Sequence, residues 1–250
     1  MKMETEKDVK RRPIIFSGES VPRILARKKT QTRRIESQQP VLVDGKTWEW
    51  PYPTEKRPDG SWKKSKASWA DGFKYVSMPQ FCPYGQPGDR LWVKEIWRVG
   101  AWQEDTDRIA VDYKADGYCR PEWIEVLDEE QFSTLWEQST NDARKVYGEM
   151  ERYHWKQGES PCRWRNPRYM PRWASRVELV LLDAGLERLQ DISEEDALAD
   201  GGWIYAKCPI HKAPIESYRA VWNVLNAKRG YPWESNPWVW RLRFELIDKR

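Results

Sequence analysis

A chain of 250 residues, 39% hydrophobic and with a net charge of +4, is long enough to bury a core as one large domain or two small ones. No apolar stretch approaches the length that spans a bilayer, and the opening run MKMETEKDVKRR lacks the apolar core of a secretion signal, so a cytosolic chain without a membrane partner is expected. The four cysteines include no CxxC pair and there are two histidines; Cys208 and His211 in CPIH have a ligand-like spacing, but a closed zinc site needs two more ligands from distant segments, so neither metal nor cofactor is expected.

In chain order, Pro13 to Phe16 reads as a short strand. Ser17 then caps a helix whose apolar face is Val21, Ile24 and Leu25, with Pro22 in its first turn. Where that face stops, the basic run Arg27, Lys28, Lys29, Arg33 and Arg34 begins, with Thr32 inside it. Such cations bind terminal carbonyls, meet phosphates or tune a nucleophile, and solvated charge is the plainest alternative. The segment 39–75 reads as a long elaborated loop with one hairpin at Asp59-Gly60.

Turn chemistry from Cys82 to Asp89 leads into a strand over Arg90 to Arg98, in which Leu91, Val93, Glu95 and Trp97 share a face. If that face is the inner one, Glu95 is a carboxylate in a barrel or pocket; otherwise it is merely exposed. Arg108 to Tyr113 alternates like a strand, and the acidic, weakly periodic stretch over 127–158 reads as a partly helical second insertion. Ala174 to Asp183 is the clearest middle strand. A helix capped by Ser193 and stopped at Gly201 follows, then one over Pro214 to Lys228 with Ile215, Tyr218, Val221, Trp222 and Leu225 on its apolar face. Trp238 to Ile247 alternates as a half-buried terminal strand.

Charge and aromatic residues are unevenly placed. Arg163, Arg165, Arg168, Arg172 and Arg176 fall in a stretch without an acid, interleaved with Trp164, Tyr169 and Trp173. Flat apolar faces alternating with guanidinium groups suit base stacking plus phosphate contact, and they also suit Arg-on-Trp packing within the fold, which is the expected role for any single tryptophan. Seventeen tryptophans exceed what a core of this size needs.

Several of these segments together resemble the ASCH family. They are the short helix running into Lys29-Thr30-Gln31-Thr32-Arg33, the Pro87-Gly88-Asp89 turn feeding a strand, Pro171 to Arg176 entering another, the capped Ser193 to Gly201 helix, and Asn236-Pro237-Trp238-Val239-Trp240. The resemblance implies an α+β, PUA-like fold. It would be one domain over 1–250: a small curved β-barrel with short helices at its edges, interrupted by insertions at about 39–75 and 127–158. The likeness is to the larger versions encoded by phages and prophages, hence to a bacterial or phage-infected host cytosol.

That family implies nucleic-acid work, with RNA, another single strand or a modified nucleoside as partner. On this chain Arg27, Lys28, Arg33, Arg34, Arg165, Arg168, Arg172, Trp173 and Arg176 would hold it. Some small family members are amidohydrolases of N4-acetylcytidine and others are described as ribonucleases. Their Lys-x-x-Thr run matches Lys29 and Thr32, and their later carboxylate falls at Asp200, one methylene shorter than the usual Glu, with Glu195 as the alternative. Thr32 would attack the amide carbonyl, neutral Lys29 would take its proton, Asp200 would orient the lysine, and Arg33 or a backbone N–H would stabilise the oxyanion. Binding is placed ahead of catalysis, and a host-protein interaction module comes third.

Overall fold

The computed structural model describes residues 9–50, 55–56, 62–63, 68–70, 72, 75–76, 81–120, 122–201 and 213–247. Its first elements are β1 (Arg11–Ile15), α1 (Ser20–Leu25), β2 (Gln31–Ile35), β3 (Val41–Val43), β4 (Thr47–Glu49), β5 (Glu55–Lys56), β6 (Trp62–Lys63), β7 (Ser68–Ala70) and β8 (Tyr75–Val76). There follow β9 (Arg90–Lys94), β10 (Trp97–Gln103), β11 (Arg108–Tyr113), β12 (Ile124–Glu125) and α2 (Glu129–Tyr147). The last are β13 (Glu178–Arg188), α3 (Glu194–Asp200), α4 (Pro214–Asn226) and β14 (Trp238–Ile247). This is a mixed α and β chain with several sheets, and the strand pairing closes no barrel among the described residues. No described helix is long and apolar enough to cross a membrane.

Contacts group the chain into two compact units. Among the described residues, one combines 9–12, 26–90 and 179–247, and the other combines 13–25 and 91–178. In the first, β14 lies between β13 and β2, and β8 pairs with β13 at Leu186 and Glu187. The alternation of β14 drives this arrangement: Trp240, Leu242 and Phe244 are buried on one face, each such side chain contributing about 1.5–3 kcal/mol. Its other face gives Val239 to a cluster with Ile35, Leu189, Ile192, Ala197, Tyr218 and Trp222, which seats α3 and α4. Leu225, expected on the same helical face, is exposed instead.

The α3 helix forms where its caps dictate. The Ser193 hydroxyl accepts from the Asp196 N–H at 3.1 Å, and Gly201 ends the helix. The strand β2 was hidden in the basic run: Gln31-Thr32-Arg33-Arg34-Ile35 pairs antiparallel with β14, Leu242 opposite Thr32 and Arg241 opposite Arg33. The segment 39–75 holds a β3–β4–β7 sheet, and β5 pairs antiparallel with β6, while the expected hairpin at Asp59-Gly60 lies outside the described residues.

In the second unit β10 and β11 pair antiparallel, with an irregularity at Gly100 and β12 on the far edge of β11. A Cβ at Gly100 would come within 2.6 Å of Asp112 Oδ1, so any larger residue there must displace the Asp112 carboxylate. The acidic segment supplies more than an appendage. Asp128 caps α2 by accepting from the Gln131 N–H at 2.9 Å, and Phe132, Leu135 and Ala143 enter a core with Trp97, Val99, Val111 and Tyr113. The expected strand over Arg90 to Arg98 is interrupted at Glu95, whose N–H is directed at Met170 Sδ rather than at a neighbouring strand. The strand expected from Ala174 begins at Glu178, after a 3-10 turn over Arg172–Ala174.

Candidate nucleic-acid interface and lysine centre

In the first unit Lys29 is drawn towards α3 by its neighbour. The Thr30 N–H donates to the Ala199 carbonyl at 3.1 Å, while the Thr30 carbonyl accepts from the Phe244 N–H at 2.9 Å. The Lys29 ammonium thereby reaches the C-terminal end of α3, where free carbonyls and the helix dipole favour a cation. It donates to Asp200 Oδ1 at 2.6 Å and to the Asp200 carbonyl. Asp200 Oδ2 also accepts from Arg33 Nη1 at 3.3 Å and from the Tyr218 hydroxyl at 3.0 Å. Arg33 donates further to Glu187 at 2.6 Å and Asp196 at 3.3 Å, and Arg241 lies 3.6 Å from Glu187.

Electrostatics follow from this burial. Burial pushes the Lys29 pKa down; the Asp200 charge opposes that shift, and Arg34 and Arg33 assist it. Burial also acts against the Arg33 cation, but Glu187 and Asp200 outweigh it and raise its pKa. Lys29 and Asp200 are thus brought together despite the shorter acid. Thr32 is placed differently: alternation along β2 turns it away from the Gln31 and Arg33 face, and its cross-strand neighbour is the buried Leu242. The Arg33 side chain is fully buried among three carboxylates, so it is committed to the network rather than to a phosphate or an oxyanion.

The lowered Lys29 pKa has a measurable sign. Between its folded value and the ordinary 10.5, the unfolded chain holds a proton that the folded chain has released. Stability therefore rises with pH across that window, by up to about 1.4 kcal/mol per pH unit, and below it the cost of the buried ammonium is present in full. Urea unfolding of wild type and Lys29→Met from pH 7 to 10 is expected to show a steeper rise for wild type. Parallel curves would refute the shift.

In the second unit the arginine-rich segment divides into committed and open residues. Glu95 is buried on the inner face with Leu91, Val93 and Trp97, and Arg176 donates to both its oxygens at 2.9 Å and to Asp116 at 3.0 and 2.9 Å. Trp173 packs edge-on to Trp97 at 6.0 Å and donates to Gln131, so it is largely structural. In contrast, Arg163, Arg168 and Arg172 are exposed, as are Trp164 and Tyr169, the latter 73% accessible. A cavity of about 620 Å³ opens beside α2, lined by Arg163, Trp164, Arg165, Tyr169, Gln131 and Gln138 among others. A second of about 380 Å³ is lined by Trp92, Arg172 and Trp173.

Of the remaining predicted residues, Arg27 and Lys28 are exposed in the first unit, with Arg27 donating to the Leu246 carbonyl, and Arg34 is half-buried on the Thr32 face of β2. Cys208 and His211 lie outside the described residues. Among those described, no group of three or more His, Cys, Asp or Glu side chains has the arrangement of a metal site. The sequence pattern places Tyr169 only among the interleaved rings and gives no sign of Gln138. Tyr169 sits in the flagged segment and was legible there, whereas Gln138 comes from α2, and only the fold brings it to the arginines. No protein-family model matches this chain, and no curated protein or solved structure does either.

Proposed function

We propose that the protein binds nucleic acid, RNA or another single strand, as an ASCH-type, PUA-like protein of the phage and prophage kind acting in the bacterial or infected-host cytosol. The observation that carries this reading is the surface of the second unit, where exposed Arg163, Trp164 and Tyr169 line a cavity of about 620 Å³, and where Arg168 and Arg172 are also exposed, Arg172 on the cavity of about 380 Å³. Exposed guanidinium groups contact phosphates while the rings accept stacked bases. With these three arginines on phosphates, affinity for a single strand is expected to fall with a log–log salt slope of about −2, roughly fifteen-fold between 50 and 200 mM salt. Arg172→Ala should flatten the slope by about 0.7, and Tyr169→Ala should cost about 1–3 kcal/mol if a base stacks there. Fluorescence anisotropy with a labelled RNA decamer measures both. Affinity unchanged across that salt range would overturn the reading.

A second reading, an amidohydrolase of N4-acetylcytidine-like nucleosides or a ribonuclease, draws support from one observation: Lys29 has a lowered pKa and is oriented by Asp200. It requires the Thr32 hydroxyl to reach Lys29 from the far face of β2. Chromatography for cytidine after incubation with N4-acetylcytidine tests the deacetylase form, and equal product from wild type and Lys29→Ala would eliminate it.

A further inference from the structure

The cavity beside α2 carries more information than its charge. Gln131 Oε1 accepts from the Trp173 indole N–H at 2.5 Å, and Gln138 Oε1 accepts from Arg163 Nη2 at 2.9 Å and Arg165 Nη1 at 2.5 Å. Indole and guanidinium groups only donate, so each fixes its glutamine with the oxygen inward. Both amide NH2 groups, without an acceptor among the described residues, are left as oriented donors on the cavity wall. Arg165 adds to them: its Nε and Nη2 are buried with no hydrogen-bond partner among the described residues, while its guanidinium lies 5.6 Å from the Trp97 ring. Burial and the neighbouring Arg163 push its pKa down, so this cation lacks a sufficient counter-charge.

The two glutamines are seven residues apart on α2, a rise of about 10 Å, comparable to the span of one nucleotide. Asp128 and Glu130 line the Gln131 end and repel a phosphate there, while Arg163 and Arg165 attract one at the Gln138 end. From this polarity we propose that the cavity takes a single unstacked oxo-pyrimidine nucleotide, phosphate towards Arg165 and Gln138, base carbonyl towards the Gln131 NH2 group. Asp128 or Glu130 accepts from the base imino N–H, and Tyr169 or Trp164 supplies a ring for stacking. Adenine offers an amino donor where the pocket presents a donor, so it is disfavoured. This inference rests on the nucleic-acid reading and adds base preference to it.

Titration of the full-length protein with the octamers U8 and A8, and with UMP and AMP, tests it. U8 is expected to bind about tenfold tighter than A8, equivalent to about 1.4 kcal/mol, with UMP above AMP in the same order. Gln131→Glu keeps the oxygen that holds Trp173 and removes the NH2 donor; Gln131→Met removes the donor without added charge, at the loss of the Trp173 bond. Both should bring the U8 to A8 ratio close to one while circular dichroism shows the fold retained. A ratio near one in wild type, or a ratio that both variants leave intact, overturns the base preference and leaves strand binding standing. If neither octamer binds at low salt, both readings fall together.

Discussion

Replacing Asp200 by alanine is expected to destabilise the first unit by about 3–5 kcal/mol, because it strips a buried counter-charge rather than a surface one. Lys29 and Asp200 are only 4% and 6% exposed, and the Arg33 side chain is fully buried. The truncation removes the acceptor of three side-chain hydrogen bonds, from Lys29, Arg33 and Tyr218. Arg33 retains Glu187 and Asp196, so the deficit falls mainly on Lys29 and on the Tyr218 hydroxyl. At about 2–4 °C per kcal/mol for a chain of this size, the melting temperature should drop by roughly 10 °C. Asp200→Asn keeps an acceptor of the same shape and should cost less. Adding Lys29→Met to Asp200→Ala should recover part of the loss, since removing both partners abolishes the orphaned charge. A melting temperature for Asp200→Ala within about 2 °C of wild type would show that solvent reaches this network and already compensates it.

The elements that could be read from sequence are those whose signal is local. The α3 helix announces itself through Ser193 and Gly201, and β14 through Trp240, Leu242 and Phe244 alternating with Arg241, Arg243 and Glu245. The strand β2 could not be read, because all but one of its residues are polar or charged and their burial makes sense only once Glu187, Asp196 and Asp200 are in place more than 150 positions away. Lys29 with Asp200 was legible through family resemblance. The direction of Thr32 was not, since it depends on β2 being a strand at all. The same distance problem splits the arginine segment: Arg168 and Arg176 look alike in sequence, but one is exposed and the other has met two acids.

This contrast gives the second large prediction. Arg176→Ala is expected to destabilise the second unit by about 3–5 kcal/mol at neutral pH while leaving the affinity of the folded fraction for a single strand nearly unchanged. Four of the guanidinium's five N–H groups are taken, two by Glu95 and two by Asp116, and its plane lies 4.3 Å from the Tyr113 ring centroid and 5.2 Å from that of Tyr118. Little of it is left to give to a phosphate. Glu95 is 1% exposed, and burial already pushes its pKa up against the pull of Arg176. Without Arg176 the carboxylate is buried and uncompensated. The penalty should then shrink as pH falls towards the raised Glu95 pKa, because protonation removes the charge that needed a partner. Asp116 runs the other way in wild type: burial works to raise its pKa, but its bonds to Arg176 and to the Tyr118 N–H prevail and lower it. Its contribution is present above 3.8 and lost as pH falls through the depressed folded value. Arg176→Lys keeps the charge without the paired geometry and should fall between the two. Thermal unfolding at pH 7 and pH 5, with RNA anisotropy on the same samples, separates the roles. A stable Arg176→Ala protein that has lost RNA affinity would make Arg176 a phosphate contact, and the Glu95 pair would then be a resting-state clasp rather than part of the core.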